Sequence, residues 1–283
     1  MEEKTTDAER DCIELIKKYT KHRFVKITNR CNLAIFIALA IAKRFNTKKY
    51  IAIPEQGGWF SFRKYPKILG FDIIEIKTDS GIIIPEELEN SLKEKNISAV
   101  LIASFAGYFA EQPLEEISKL CGKYNCLLIE DASGAIGDKK LCNGDFSDII
   151  VASFGKHKPV NLGYGGFISA NRKEFFESSS DFFSLIKVYP EIYRELYKKL
   201  KKAPERIDFF YEKCKEIKSD LKDFDIVHRE KRGINVVVRY KNENERKSLI
   251  EYCEKNGYEF VLCPKYIRIN DKAISIEVKR LNK

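Results

Sequence analysis

The 283-residue chain has one methionine, one tryptophan and no long apolar run, and each scarcity narrows what it can be. No stretch reaches the roughly 20 uncharged residues that a membrane-spanning helix requires, so no membrane association is expected. The start, Met1-Glu2-Glu3-Lys4, is too charged for the apolar core of a secretion signal. Residence in the cytoplasm follows as the expectation. The eight cysteines are scattered singly, and the nearest two, Cys121 and Cys126, lack the paired spacing of a zinc finger. They read as reduced structural cysteines, with no metal site expected. The single methionine beside 33% charged residues is a bias also seen where heat favours ion-pair networks.

What the chain does have is a basic balance, 51 Lys and Arg against 42 Asp and Glu, for a net charge of +9. Such a charge suits anionic partners: nucleic acid, a nucleotide-linked substrate or a phosphate-bearing ligand. Nucleic acid is not the expected one. The run Lys198-Lys199-Leu200-Lys201-Lys202 reads as the solvated face of a helix, and no glycine-aromatic single-strand motif or cysteine-histidine finger accompanies it.

With 44% hydrophobic residues, a chain of this length provides for one large core and a smaller one. Short, continuously apolar runs predict strands at 50–53, 71–76, 99–103, 126–129, 149–153 and 166–170. Amphipathic stretches at 33–45, 60–69, 85–94 and 113–124 predict helices between them, two of them opening on a proline. Strands apolar on both faces and alternating with helices imply a largely parallel sheet in an α/β domain. From about Asn171 the texture becomes longer, Lys- and Glu-rich helix running toward Leu221. A second αβ unit follows, with strands expected at 234–240, 258–262, 266–269 and 273–278 and a helix at 244–256. The expected division is a large domain of residues 1–172 and a small α+β domain of residues 173–283.

Chemistry concentrates at the ends of two of these strands. Cys126-Leu127-Leu128-Ile129 runs into Glu130-Asp131-Ala132-Ser133, and Ile149 to Ser153 runs into Phe154-Gly155-Lys156-His157-Lys158. An acid at one strand end and an amine after another are what a protein needs to hold pyridoxal phosphate. The acid keeps the pyridine nitrogen protonated so that the ring accepts electrons, and the lysine carries the aldehyde as a Schiff base.

The segment Leu128-Ile129-Glu130-Asp131-Ala132-Ser133-Gly134-Ala135-Ile136-Gly137, then Gly144-Asp145-Phe146-Ser147-Asp148-Ile149, then Ser153-Phe154 with a lysine four residues on, resembles the core of the DegT/DnrJ/StrS aminotransferases. The resemblance runs in order over roughly residues 25 to 172. It implies a fold-type I, pyridoxal-phosphate-dependent transferase fold: a mostly parallel sheet with helices on both faces, plus a small C-terminal α+β domain.

By that resemblance Asp131 pairs with the ring nitrogen, although a strand-end aspartate also caps helices. Lys158 takes the Schiff-base position, in preference to Lys156. Ser153 helps hold the phosphate, or is simply a polar strand-end residue. Trp59, after Gly57-Gly58, stacks on the ring or serves as ordinary core. The phosphate loop departs from the family pattern. The usual Ser-Gly-Thr-Ala is replaced by Arg30-Cys31-Asn32-Leu33-Ala34, where Cys31 and Asn32 are the expected contacts and Arg30 supplies charge. A plain helix cap by Asn29 or Asn32 is the competing reading. Gly134 stands where the family commonly has glutamine or histidine near the ring hydroxyl, and the sequence after Lys158 is short.

The resemblance implies transfer of an amino group from a donor such as glutamate to a keto-sugar, nucleotide-linked in most of the family, at sites shared across a homodimer. Arg239 or Arg268 is a candidate for the donor carboxylate. The competing readings are a relative with a shifted reaction, elimination or decarboxylation, and a non-catalytic nucleotide- or RNA-binding protein on the same scaffold.

Overall fold

The structure is a computed structural model, and it describes residues 7–282. The charged start Met1-Glu2-Glu3-Lys4 lies outside the described residues.

Five of the expected strands form the parallel centre of a seven-stranded sheet. Its order is β1 (Phe24–Thr28), β11 (Gly166–Ala170), β10 (Ile149–Ser153), β9 (Leu127–Asp131), β6 (Ile97–Ala103), β2 (Tyr50–Pro54), β3 (Asp72–Ile76). All pairs from β10 to β3 are parallel, and β11 is antiparallel to both β10 and β1. Alternation within one apolar strand feeds two cores. In β6, Ala99 and Leu101 pack on one face while Val100 and Ile102 pack on the other, and β9 and β10 divide in the same way. The edge strand β1 is passed over by the sequence reading, because its Lys26 is exposed and Ile27 is its one fully buried apolar side chain.

Helix α2 (Cys31–Phe45) is apolar almost all round, and its Ile35, Ile37, Leu39 and Ile41 fill one face of the sheet together with Phe62 of α3 (Phe60–Ile68). The opposite face is covered by α4 (Pro85–Glu94), α5 (Leu114–Lys123) and α8 (Tyr193–Asp220), through Leu88, Ile117, Leu196 and Leu200. The N-terminal helix α1 (Asp7–Thr20), not foreseen from the sequence, lies along α8 with Cys12 and Ile16 buried. Lys198, Lys201 and Lys202 are exposed on α8 while Leu200 faces the core, so that run is a solvated helix face.

Two small hairpins, β4 (Thr78–Asp79) with β5 (Ile82–Ile83) and β7 (Phe105–Ala106) with β8 (Ala110–Glu111), leave the large sheet at its carboxyl edge. After two short helices, α6 (Lys173–Glu177) and α7 (Ser180–Ser184), and α8, a four-stranded antiparallel sheet forms. Its order is β12 (Asp225–Ile226), β13 (Val236–Arg239), β15 (Ala273–Ile276), β14 (Phe260–Cys263), with α9 (Glu243–Lys255) against it. The strand expected at 266–269 is instead a tight turn: Arg268 N donates to Lys265 O at 2.8 Å, and Lys265 N to Ile269 O at 2.8 Å. Two backbone bonds closed within five residues leave no extended segment to pair. No helix among the described residues is long and apolar enough to cross a membrane.

Candidate active site

Parallel strands in an α/β sheet present their carboxyl ends at one edge, and ligands bind there. Here β9 ends on Asp131 and β10 on Ser153, with Val151 in register with Asp131. The N-terminus of α2 opens at the same edge. Between them lies a cavity of about 300 Å³ lined by Cys31, Asn32, Trp59, Asp131, Ser153 and Lys158, together with Arg30, Tyr108, Ser133 and Tyr164. The fold thus brings all six residues singled out in the sequence to one cavity. Lys156 is exposed and is not in its wall.

Asp131 is buried, and Ser133 N donates to its Oδ1 at 3.0 Å. Burial holds its carboxyl above the usual range, with the Ser133 hydroxyl, the Lys158 ammonium and the Ser133 amide working against that rise. A cation placed in the cavity would relieve the excess. Lys158, half-buried, follows His157, whose backbone is left-handed (φ +62°) and whose N–H donates to Asn161 Oδ1 at 3.1 Å. Lys158 Nζ donates to the Tyr108 hydroxyl and lies 5.7 Å from the Trp59 ring centroid.

Glu130, next in sequence to Asp131, faces away. It accepts from the hydroxyls of Ser104 (2.6 Å) and Ser147 (2.7 Å) and from Cys142 N (3.0 Å), and burial pushes its carboxyl upward.

At the other end of the cavity, Arg30 precedes α2 without capping it through its side chain, and it makes no ion pair with any described residue. The plain-cap reading of Asn29 or Asn32 is corrected: no side chain caps α2, and Asn32 Oδ1 accepts from Trp59 Nε1 at 3.2 Å. Cys31 Sγ lies 3.6 Å from Ser133 Oγ, which also accepts from Ser153 N at 2.9 Å. Ser153 Oγ accepts from Gly155 N at 3.0 Å. Helix N-terminal amides, an uncommitted arginine and two hydroxyls form the donor set that a phosphate requires.

Trp59 reaches the cavity because Gly57 adopts φ +79°, and a Cβ there would meet Gly107 N at 3.1 Å. Gly107 N donates to Gly57 O at 2.8 Å, which clamps the loop carrying Trp59 to the loop carrying Tyr108. Tyr108, Ser133 and Tyr164 are wall residues that the sequence reading left without a role. The space beside Gly134 is taken by the Tyr108 ring, whose Cδ1 would stand 3.1 Å from a Cβ at that position.

The two arginines considered for a substrate carboxylate are both committed elsewhere. Arg268 is buried against Glu277, and Arg239 pairs with Asp271 at 2.8 Å and donates to the Ser80 hydroxyl at 2.6 Å. Neither is in the cavity wall.

The residues present therefore fit pyridoxal phosphate: a buried acid, an amine, an indole and a phosphate-type donor set around one space. Among the described residues, no cluster of His, Cys, Asp or Glu could hold a metal ion.

Comparison with known proteins places this geometry in context. The model of the DegT/DnrJ/EryC1/StrS aminotransferase family matches residues 9–184, and that of the MJ1341 family C-terminal domain matches residues 204–283. A UDP-4-amino-4,6-dideoxy-N-acetyl-beta-L-altrosamine transaminase of Campylobacter jejuni is 38% identical over 109 residues, covering 36% of this chain. That match spans 28% of the relative's own length. Among solved structures, Helicobacter pylori PseC, an aminotransferase involved in pseudaminic acid biosynthesis, superposes with a TM-score of 0.78 at 19% identity, covering 96% of this chain and 86% of that one. GDP-4-keto-6-deoxy-D-mannose-3-dehydratase of E. coli superposes with a TM-score of 0.73 at 16% identity, covering 96% and 87%. At these identities the structural likeness is one of fold, and the fold is the fold-type I transferase fold expected from the sequence. The family match itself spans Cys31, Asn32, Trp59, Asp131, Ser153 and Lys158, and the chain belongs to the DegT/DnrJ/EryC1/StrS aminotransferase family.

Proposed function

We propose that this chain is a pyridoxal-phosphate-dependent aminotransferase that moves an amino group from an amino acid such as glutamate to a keto-sugar, with nucleotide-linked keto-sugars as the substrate class. The observation that carries the reading is the pairing of Asp131 and Lys158 on one cavity beneath Trp59. A protein that only bound nucleotides or RNA would have no use for a buried acid and an amine on the same wall. The substrate class follows from the names of the relatives, a UDP-sugar transaminase and the PseC aminotransferase, and from the net charge of +9, which suits anionic substrates.

Bound in this cavity, the cofactor supplies an electron sink for bond breaking at the carbon that carries the nitrogen. The chain's residues do the rest. Asp131 would hold the proton of the ring nitrogen, Trp59 would stack on the ring, and the N-terminus of α2, Arg30 and Ser153 would hold the phosphate. Lys158 would tether the cofactor through its amine, and its Nζ is the group placed to take and return the proton of the substrate carbon. By analogy with the family, each cavity would be completed by a second copy of the chain in a homodimer; a light-scattering mass of one chain would overturn that part.

The deciding experiment is the absorbance spectrum of the purified protein with added pyridoxal phosphate, before and after borohydride reduction, with the modified peptide located by mass spectrometry. A new visible band and reductive fixation on Lys158, followed by amino transfer from glutamate to a UDP-linked keto-sugar, are the expected results. An unmodified Lys158 overturns the reading in favour of a non-catalytic relative. Fixation with elimination in place of amino transfer would assign it instead to the reaction type named for the E. coli dehydratase.

A further inference from the structure

Tyr108 sits where the large sheet, the cavity and the small sheet meet, and several independent features fix it there. Its backbone is left-handed (φ +75°), an uncommon state for an aromatic residue. Its carbonyl accepts from two consecutive amides of the small domain, Ile234 N at 2.8 Å and Asn235 N at 3.0 Å. Its ring fills the space that the missing side chain of Gly134 leaves open. Its hydroxyl accepts from Lys158 Nζ.

The ring is also a meeting point of cations. Lys158 Nζ lies 4.3 Å from its centroid on the cavity side, while Lys279 Nζ and the Arg268 guanidinium carbon lie 5.0 and 5.1 Å away in the buried cluster around Glu277. Three cations share one aromatic ring, and only Lys158 reaches the hydroxyl. Each lies within the range at which a ring quadrupole attracts a cation. An amine that must attack and later shuttle a proton needs a defined direction, and a single rigid acceptor supplies it.

We propose that Tyr108 is a positioning residue for Lys158: its hydroxyl, held in place by the strained backbone and by the room left at Gly134, aims the lysine amine into the cavity. The proposal rests on the reading of Lys158 as the reactive amine, and its test separates the two.

Tyr108→Phe keeps the ring and removes the acceptor. In cofactor-free protein, labelling with trinitrobenzenesulfonate is read by mass spectrometry as the ratio of modified Lys158 to modified Lys156, the exposed lysine serving as an internal standard. The rate of pyridoxal phosphate attachment is then followed by visible absorbance. Positioning requires opposite changes: the loosened amine reacts faster with the external reagent but attaches the cofactor about tenfold more slowly, the size of one charge-assisted hydrogen bond. In turnover, kcat falls with KM held within about threefold, because an interaction used in the chemical step is lost.

Gly134→Ala, which pushes the ring at 3.1 Å, is expected to reproduce the slow attachment with the hydroxyl still present, and to add little in the Tyr108→Phe background. An unchanged labelling ratio and attachment rate in Tyr108→Phe overturn the proposal. Failure of the unaltered protein to attach the cofactor would instead overturn the assignment of Lys158, while the labelling ratio still reports whether Tyr108 holds it.

Discussion

Arg268 and Glu277 form a two-pronged ion pair inside the small domain, Nη2 to Oε2 at 2.7 Å and Nε to Oε1 at 2.9 Å, with the two residues 3% and 2% exposed. Lys279 closes on the same carboxylate, and the Ser275 hydroxyl donates to it at 2.9 Å. The surrounding cations hold Glu277 well below the usual carboxylate range despite its burial. Lys279, pulled down to about 7 chiefly by its own burial, shows how finely the cluster is balanced. Glu277→Gln would leave two buried cations without their anion, and is expected to destabilise the protein by about 3 kcal/mol or more. Urea unfolding at neutral pH measures this, and a loss near zero would mean that the cluster is hydrated.

Trp59 is the only tryptophan in the chain, so its fluorescence reports on the cavity alone. Pyridoxal phosphate absorbs where the indole emits, and its binding is expected to quench most of the emission in a saturable titration. Trp59→Phe should abolish the signal and weaken binding by about tenfold, the loss of part of an aromatic stacking contact. Asn32→Ala, which removes the acceptor of the indole N–H, should preserve the quenching and shift the titration midpoint upward. A linear, unsaturable quench would show that the cofactor does not enter this cavity.

His22 gives a pH dependence with a definite sign. It is 2% exposed, its Nδ1 lies 2.9 Å from Ser169 Oγ and its Nε2 3.0 Å from Ser147 O, and burial lowers its pKa to about 4. The unfolded chain then binds more protons than the folded one between pH 4 and 6.5, so stability rises with pH across that window and is lost on acidification. The contribution amounts to about 3 kcal/mol at its fullest. His22→Asn should flatten the difference between stability at pH 6.5 and at pH 4.5, measured by urea unfolding at each pH. An undiminished slope in that variant would assign the acid sensitivity to other groups.

Much of the fold was legible because both-faces-buried strands are written as plain apolar runs: β2, β6, β9, β10 and β11 lie within two residues of their expected bounds. The strand β1 was hidden because an edge strand needs few buried apolar side chains, here Ile27 alone of five residues. The turn at 266–269 was misread because Tyr266 and Ile269, apolar enough for a strand, are buried by packing around a turn. The convergence of six singled-out residues on one cavity was legible because strand ends and a helix start meet by topology. Tyr108 was not, since its role depends on a left-handed backbone and on room beside Gly134, neither of which leaves a mark in residue spacing. Arg268 looked available for the same reason: its partner Glu277 is reached only when β15 folds back against the turn.

Asp131 offers the sharpest separation of stability from function. Burial is the largest influence on its carboxyl and raises it, so the folded state binds this proton more tightly than the unfolded state. The sign follows: the ionised carboxylate weakens the fold above its unfolded value of 3.8, and the penalty is complete once pH exceeds the raised folded value. Asp131→Asn keeps an acceptor for Ser133 N and removes the charge, so the cofactor-free protein should be equally stable or more stable by about 1 kcal/mol at pH 8. The same change removes the group that would keep the ring nitrogen protonated, and turnover should fall by at least about 100-fold, some 3 kcal/mol in the barrier. Thermal unfolding without cofactor and amino-transfer rates with it provide the two readouts. A variant that is strongly destabilised would make Asp131 a structural acid, whereas one that keeps full activity would remove it from the site.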